Sequence, residues 1–475
     1  MKVQNSLSSG ILKAMSLFGG VQVVSILCSI VRTKLVAVWI GATGVGLFAL
    51  YNSTVDMISA FTRFELRSSS IKDISSSAGT RLAIVNVVVR RWSWFLGMLG
   101  AMLTIVLSPW LSQWTFGDDS HTIGFIVLSV AVLLFSVTDG ELAILQGTSM
   151  LGRLAKASMW GVVSGVAITV PMFYFWGVDS IVPAVLTYFV MTAVMTMVYR
   201  RRPERPRPEV TFRETLTEGR GLVTLGFYMM LSTFVCMLVH YVFVAYLNNN
   251  ADTETVGYYQ AGYTLVNRYV GLVFTAIAME YFPRLSRVSG SMIRTKVFVS
   301  HEISIALLIL VPIIAIFISA EELIVRIFYA DEFLVITPFI RWAIVGTVFR
   351  AVSWSMAFVI LARGDGKAFL LTETASAVTS LSLNIVAYEL WGLDGLGFAY
   401  ICWYVVYALV VWAVYRVRYR LGIGRGIVAL MFSGFGIGVL CAAVSSLSGL
   451  VIPVIIAVVV SVLSFLRLRT MILKR

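Results

Sequence analysis

Apolar residues in this chain run on for twenty or more positions at a time and are broken by short polar gaps. They do not alternate at a period of two, as in a strand, or recur on one face only, as in a soluble helix. A hydrocarbon core of about 30 Å needs about 20 apolar residues in a helix that rises about 1.5 Å per residue. Fourteen runs reach that length, at roughly 14–39, 45–65, 85–112, 122–147, 157–176, 180–199, 222–247, 255–282, 297–319, 334–362, 368–390, 395–415, 426–446 and 450–468. The pattern predicts an all-α polytopic membrane protein with about fourteen transmembrane helices. The first run begins near Ile11 and passes Val36 without a small-residue cleavage site, so a first span is expected rather than a cleaved leader.

The gaps alternate in charge. Of the 37 Lys and Arg residues, Arg326 lies in one kind of gap and five lie inside apolar runs, while all the others occupy the termini, the alternate gaps and the run ends that border those gaps. The acid-bearing gaps are short, with Asp118 and Asp119, Asp179, Asp252 and Glu254, and Asp394. By the positive-inside rule the basic gaps are cytoplasmic, which places both chain ends in the cytoplasm of a bacterial inner membrane.

Composition agrees: 59% of residues are hydrophobic and the mean hydropathy is +0.89. The net charge of +13 is spread over short turns rather than gathered on one domain, which argues against nucleic acid as a partner. Cys28, Cys236, Cys402 and Cys441 sit in apolar stretches and are too scattered for a metal motif, so packing is their expected role. No phosphate-binding loop or other cofactor signature is present, and no cofactor is expected.

The longest polar connection holds Arg200, Arg201, Arg202, Arg205 and Arg207, interrupted by Pro203, Pro206 and Pro208. Proline removes helical hydrogen bonds and restricts the residue before it, so this stretch marks a boundary. The expected organisation is a six-helix lobe over 1–202, a cytoplasmic linker over 203–220, a second six-helix lobe over 221–420, and two further helices with a basic tail over 421–475. The lobes resemble each other. VGLFALYNSTVDMIS from Val45 recurs as VGYYQAGYTLVNRYV from Val256, and WGVDSIVPAVLTYFV from Trp176 as WGLDGLGFAYICWYV from Trp391. An even number of spans per half gives parallel repeats, with the site expected between them.

Polar residues inside the runs fall in stripes. Gln22, Ser25, Ser29 and Arg32 share one face of span one, with Lys34 turned away; Gln260, Thr264 and Arg268 share a face of span eight. Ser232, Cys236 and His240 repeat in span seven, and Glu373, Ser376, Ser380 and Asn384 in span eleven. Lipid satisfies none of these groups, so each stripe faces protein or water, and a central hydrated, cationic cavity is the simplest arrangement. The cations inside apolar runs, Arg32, Lys34, Arg268, Arg341 and Arg350, are the candidate substrate-binding groups. Arg268 and Arg350 lie roughly 21 Å below the outer ends of their spans, near mid-membrane. A guanidinium fork suits phosphate oxygens, so an anionic, pyrophosphate-bearing headgroup is the expected cargo. Asn52, Asn267, His240 and Asn384 are added as polar lining, and Asp56, Asp139 and Glu141 as candidates for ion coupling. Each has a plain structural alternative: Asp56 as partner of Arg32, Asp139 and Glu141 as partners of Arg153 or Lys156, Lys34 and Arg341 as snorkelling side chains, and His240 as a packed, hydrogen-bonded residue.

Several stretches resemble the O-antigen translocase (Wzx-type) family of the multidrug/oligosaccharidyl-lipid/polysaccharide exporter superfamily. They are SIVRTKLVAVWIGATGVGLFAL from Ser29, LSPWLSQWTFGD from Leu107, ILQGTSMLGRLAKAS from Ile144 and VGYYQAGYTLVNRYVGLVFTAIAMEYFPRLS from Val256. The resemblance implies a V-shaped pair of six-helix lobes that moves undecaprenyl-pyrophosphate-linked oligosaccharide between leaflets by alternating access. It implies headgroup roles for Arg32 and for the pair Asn267–Arg268. Membrane lipids and other polysaccharide-assembly membrane proteins are the partners it suggests. Within the superfamily, a lipid II-type flippase or a cation-coupled drug exporter is the nearest alternative. A membrane-embedded polysaccharide polymerase or ligase is the alternative from another class. Such an enzyme is expected to carry a long external loop with catalytic residues, whereas the acidic gaps here are mostly under roughly 15 residues. A transporter without catalytic activity is therefore expected.

Overall fold

The computed structural model describes residues 2–473 except 65, 78, 202–209 and 449–450. The first part of the Pro/Arg linker, 203–209, therefore lies outside the described residues. Every regular element among the described residues is helical, as backbone immersed in hydrocarbon requires.

Helix α1 (Lys2–Thr62) carries the first two apolar runs and is broken at Gly41, where φ is 72° and ψ −171°. A short α2 (Leu66–Ser76) follows, then α3 (Gly79–Phe116), α4 (Thr122–Gly147), α5 (Leu151–Trp176) and α6 (Ile181–Tyr199). Helix α7 (Phe212–Asn250) starts with a capping box: the Thr211 hydroxyl accepts from the Glu214 amide and the Glu214 carboxylate accepts from the Thr211 amide. That cap holds the Glu214 carboxyl below its usual range, chiefly through the backbone hydrogen bond. The described chain is thus helical from Phe212, inside the stretch read from sequence as linker.

The second half continues with α8 (Thr253–Tyr263), a π-helical turn (Thr264–Tyr269), α9 (Gly271–Val288), α10 (Met292–Ser319), α11 (Glu321–Phe328) and α12 (Thr337–Ala362). Helix α13 (Gly366–Val417) holds two apolar runs folded back at Gly392, and α14 (Arg425–Ser448) and α15 (Val451–Leu473) complete the chain. Each of the fourteen apolar runs is thus helical. Ten helical segments among the described residues are long and apolar enough to cross a membrane, and three of them contain two runs each.

The two W-G-x-D turns adopt the same backbone. Gly177 has φ 55° and ψ −132°, and Gly392 has φ 61° and ψ −145°. Positive φ is strained for any residue with a Cβ, so glycine is needed at both places. The sequence repeat is therefore also a repeat of local structure.

Packing divides the chain into two compact units, Met1–Gly257 and Tyr258–Arg475. In the first, α7 joins the bundle of α1–α6. Its C-terminal half is tied to α3 by Thr115 Oγ1 to Tyr241 OH at 2.7 Å, Asn248 Nδ2 to Thr115 O at 2.8 Å and Asn249 Nδ2 to Trp114 O at 2.6 Å. At the other end the Trp92 indole donates to Thr215 O and Arg91 donates to Val210 O and Thr215 Oγ1, each at 2.8 Å. In the second unit α12 is the central helix, with Ala343, Ile344, Val345 and Val348 wholly buried. Gly346 on α12 lets α13 approach closely: a Cβ there would lie 2.9 Å from the Tyr400 ring and 3.1 Å from the Ile401 Cα.

Candidate headgroup-binding residues

The close approach at Gly346 has a consequence one helical turn later. Arg350 projects from the same face of α12, and its Nη1 donates to Tyr400 OH at 3.2 Å and to Asn267 Oδ1 at 3.0 Å. Tyr400 OH also donates to Asn267 Oδ1, at 3.0 Å. Phe274 and Tyr404 flank the guanidinium, with ring centroids 5.0 Å and 5.7 Å away. Gly271 lies on another side, where a Cβ would stand 3.8 Å from Arg350 Nη2, in ordinary van der Waals contact. Every partner of this cation among the described residues is neutral. Asn267 Nδ2 has no hydrogen-bond partner among them. A charge held by dipoles and rings keeps its attraction for an anion, whereas one neutralised by a carboxylate does not.

Asn267 reaches Arg350 from the π-helical turn, where the extra residue per turn re-aims side chains; such turns gather at functional sites. The side chain of Arg268, its neighbour in sequence, lies outside the described residues, as does that of Gln22. Gln260 donates to Thr264 Oγ1 at 3.5 Å and its Oε1 is buried without a partner among the described residues.

The other candidates in the second unit are engaged by protein. Arg341 donates through Nε at 2.8 Å and through Nη2 to Glu321, and Ser445 on α14 reaches the same carboxylate at 3.3 Å. Burial raises the Glu321 carboxyl above its usual range despite those bonds. The stripe on the first limb of α13 is covered by its second limb. Trp403 Nε1 donates to Ser376 Oγ at 2.9 Å, and Tyr407 OH donates to Glu373. Asn384 donates to Ser380 Oγ at 3.4 Å.

In the first unit the Arg32 guanidinium stands over Phe48 and Tyr188, 5.1 Å and 5.0 Å from their centroids. Ser25, Ser29, Lys34 and His240 are half-buried, and Asp56 is exposed on its helix. Asn52 turns back on its own helix, donating to Phe48 O at 2.7 Å. Asp139 and Glu141 meet arginines other than those expected. Asp139 binds Arg63 and, at 3.4 Å, Arg67, while Arg90 grips Glu141 through Nε at 2.7 Å and Nη2 at 3.1 Å. Arg63 is further fixed by Ser59 O at 3.1 Å and by the Phe135 ring 3.9 Å below its guanidinium. Arg63, Arg67, Phe135, Asp139 and Thr233 line a pocket of about 270 Å³. Two guanidiniums facing one carboxylate leave it cationic.

Sequence reading counted Arg63, Arg67 and Arg90 only as topology-setting charges. It also passed over Tyr400 and Tyr404, although Tyr400, Trp403, Tyr404 and Tyr407 share one face of their span at helical spacing. No metal-binding cluster occurs among the described residues.

Residues 46–338 match a family model described as Polysaccharide biosynthesis protein. No curated protein matches the chain in sequence. Among solved structures, the lipid II flippase MurJ in an inward closed conformation superposes with a TM-score of 0.68 at 14% identity, covering 96% of this chain and 99% of that one. An inward-facing multidrug resistance MATE family transporter of the MOP superfamily superposes with a TM-score of 0.67 at 15% identity, over 87% of this chain and 96% of that one. An outward-facing one gives 0.60 at 16%, over 88% and 96%. These likenesses show that the chain has the fold of that superfamily.

Proposed function

The chain belongs to the polysaccharide biosynthesis protein family, and from that premise we propose that it is a flippase. Its cargo is a polyprenyl-pyrophosphate-linked oligosaccharide, an O-antigen or related surface-polysaccharide repeat unit. It carries this cargo from the inner to the outer leaflet of the bacterial inner membrane by alternating access, with both chain ends in the cytoplasm, and acts as a carrier rather than a catalyst. A glycan headgroup cannot cross hydrocarbon unaided, because each hydroxyl would lose its water partners.

The observation that carries this reading is Arg350, a cation in an apolar span that is held by Asn267 and Tyr400, with no acid among its partners in the described residues. We assign it the pyrophosphate, with Asn267 Nδ2 as a second donor. Arg32, Lys34 and Arg268 remain the further candidate cations that the sequence offers for an anionic headgroup. Arg63 and Arg67 form a first cationic stop at the basic face, with Asp139 as their resident counter-ion. Asp139 and Glu141 thereby serve as partners of arginine. A lipid II-type cargo shares the pyrophosphate and competes for the same groups.

The test is translocation of labelled lipid-linked oligosaccharide in proteoliposomes, with lipid II run in parallel. Transfer of the oligosaccharide by the native protein and its loss in Arg350→Ala support the proposal. Transfer of lipid II alone would reassign the cargo.

A further inference from the structure

The repeat that begins at Val45 and Val256 brings its own two copies into contact. Ala42 and Gly46 on α1 correspond to Thr253 and Gly257 on α8. A Cβ at Gly46 would overlap the Thr253 carbonyl oxygen and come within 3.0 Å of the Gly257 amide nitrogen; a Cβ at Gly257 would overlap the Ala42 carbonyl oxygen. Each glycine thus faces the carbonyl one turn back on the equivalent helix, and the relation reads the same in both directions. That reciprocity is the mark of a local two-fold axis. The spacing is small-x-x-x-small on both sides, the pattern that lets helices meet backbone to backbone in a membrane. Cβ atoms lean toward the helix N-terminus, so the missing side chains point at those earlier carbonyls. All four residues lie inside the first packing unit, which ends at Gly257.

The crossing sits just past the turn at Gly41 and just past Asp252, at the face that carries the acidic turns. We infer that Gly46 and Gly257 form a symmetric gate at that face, which closes by backbone apposition of the two repeat-related helices and opens when they part. The inference rests on the flippase reading only for the need of a gate, since alternating access closes the path at one face while it opens at the other. Glycine fits this task. A contact between bare backbones, held by Cα–H···O approaches, forms and breaks without any side chain changing rotamer. A methyl group on either helix blocks it, and the two-fold relation makes the two positions equivalent.

Ser53 lies two turns deeper on the face of α1 that carries Gly46, and it is 6% exposed. In a background with Cys28, Cys236, Cys402 and Cys441 replaced, Ser53→Cys should react slowly with a membrane-impermeant maleimide added at the acidic face. Gly46→Ala and Gly257→Ala should each speed that reaction roughly tenfold or more and to a similar degree, because overpacking keeps the helices apart. Monodisperse alanine variants labelled at the native rate, or an effect from one glycine and none from the other, would overturn the gate. Should both variants fail to fold, spin labels at the exposed Val38 and Glu254 test it with the glycines intact. Two separations are expected, and one fixed separation in detergent and in nanodiscs alike overturns the inference. No lipid-linked substrate enters either measurement, so the gate and the flippase reading fail separately.

Discussion

Arg350 is the residue to which the proposed headgroup contact is assigned. Its depth in span ten was legible in the sequence, because a cation there has no cheap place to go. Its cradle was not legible. Tyr400 and Tyr404 come to it through the close packing at Gly346, and hydropathy treats tyrosine as one more apolar-run residue. Removing a charge-assisted hydrogen-bonding group costs about 1.5–3 kcal/mol, so Arg350→Ala should weaken headgroup binding roughly 10- to 150-fold. Arg350→Lys should fall between, keeping the charge and losing the fork. Titration of purified protein with a soluble pyrophosphate-linked glycan measures both, and an unchanged Kd for Arg350→Ala would remove the residue from the site. Glu141 gives a contrasting case. It is 4% exposed and gripped by Arg90. Glu141→Ala leaves that guanidinium without its acid and should cost about 3–5 kcal/mol, read as lost accumulation and a lower Tm. Replacing both partners by apolar residues of similar volume should restore most of the loss.

Elements show where sequence patterns stop. The fourteen apolar runs are helical where expected, since twenty consecutive apolar residues leave little choice. Their breaks were less visible. The π-helical turn at Thr264–Tyr269 changes the register of span eight without changing its hydropathy. The kink at Gly392 folds α13 into a hairpin whose ends are then tied by one carboxylate. Asp365 accepts from the Ala368 amide at 3.3 Å at the start of α13, and from Arg418 and, at 2.9 Å, Tyr419 just beyond its end. Burial opposes ionisation of Asp365, but the bonds from Arg418, Tyr419 and the Ala368 amide outweigh it and hold the carboxyl below the usual range. A depressed carboxyl contributes stability above its unfolded value, about 3.9, and that stability is lost as pH falls through the folded value. Thermal stability should therefore drop below about pH 4 in the native protein, and this component of the acid dependence should vanish in Asp365→Asn. Melting curves from pH 3 to 7 check it; identical acid slopes for the two proteins would show the tie to be idle.

At the scale of the whole molecule, sequence and packing draw different lines. The repeat starts its second lobe after the Pro/Arg stretch, whereas packing keeps α7 with the first unit and divides at Gly257. Internal likeness records which segments are equivalent, and contacts record what each segment touches. Nothing in α7's own sequence announces that Thr115, Trp114 and Trp92 on α3 will hold it at both ends. The fold class was legible because the bilayer dictates it; the side-chain partners were not, because they depend on which helices lie side by side. The measurement that bears most directly on the central claim is leaflet-to-leaflet transfer of labelled polyprenyl-pyrophosphate oligosaccharide in proteoliposomes, native protein against Arg350→Ala, with and without a pH or sodium gradient. Transfer by the native protein and near-background transfer by a folded Arg350→Ala variant is the expected result. Native transfer no faster than in empty liposomes, or equal transfer by the two proteins, would contradict it.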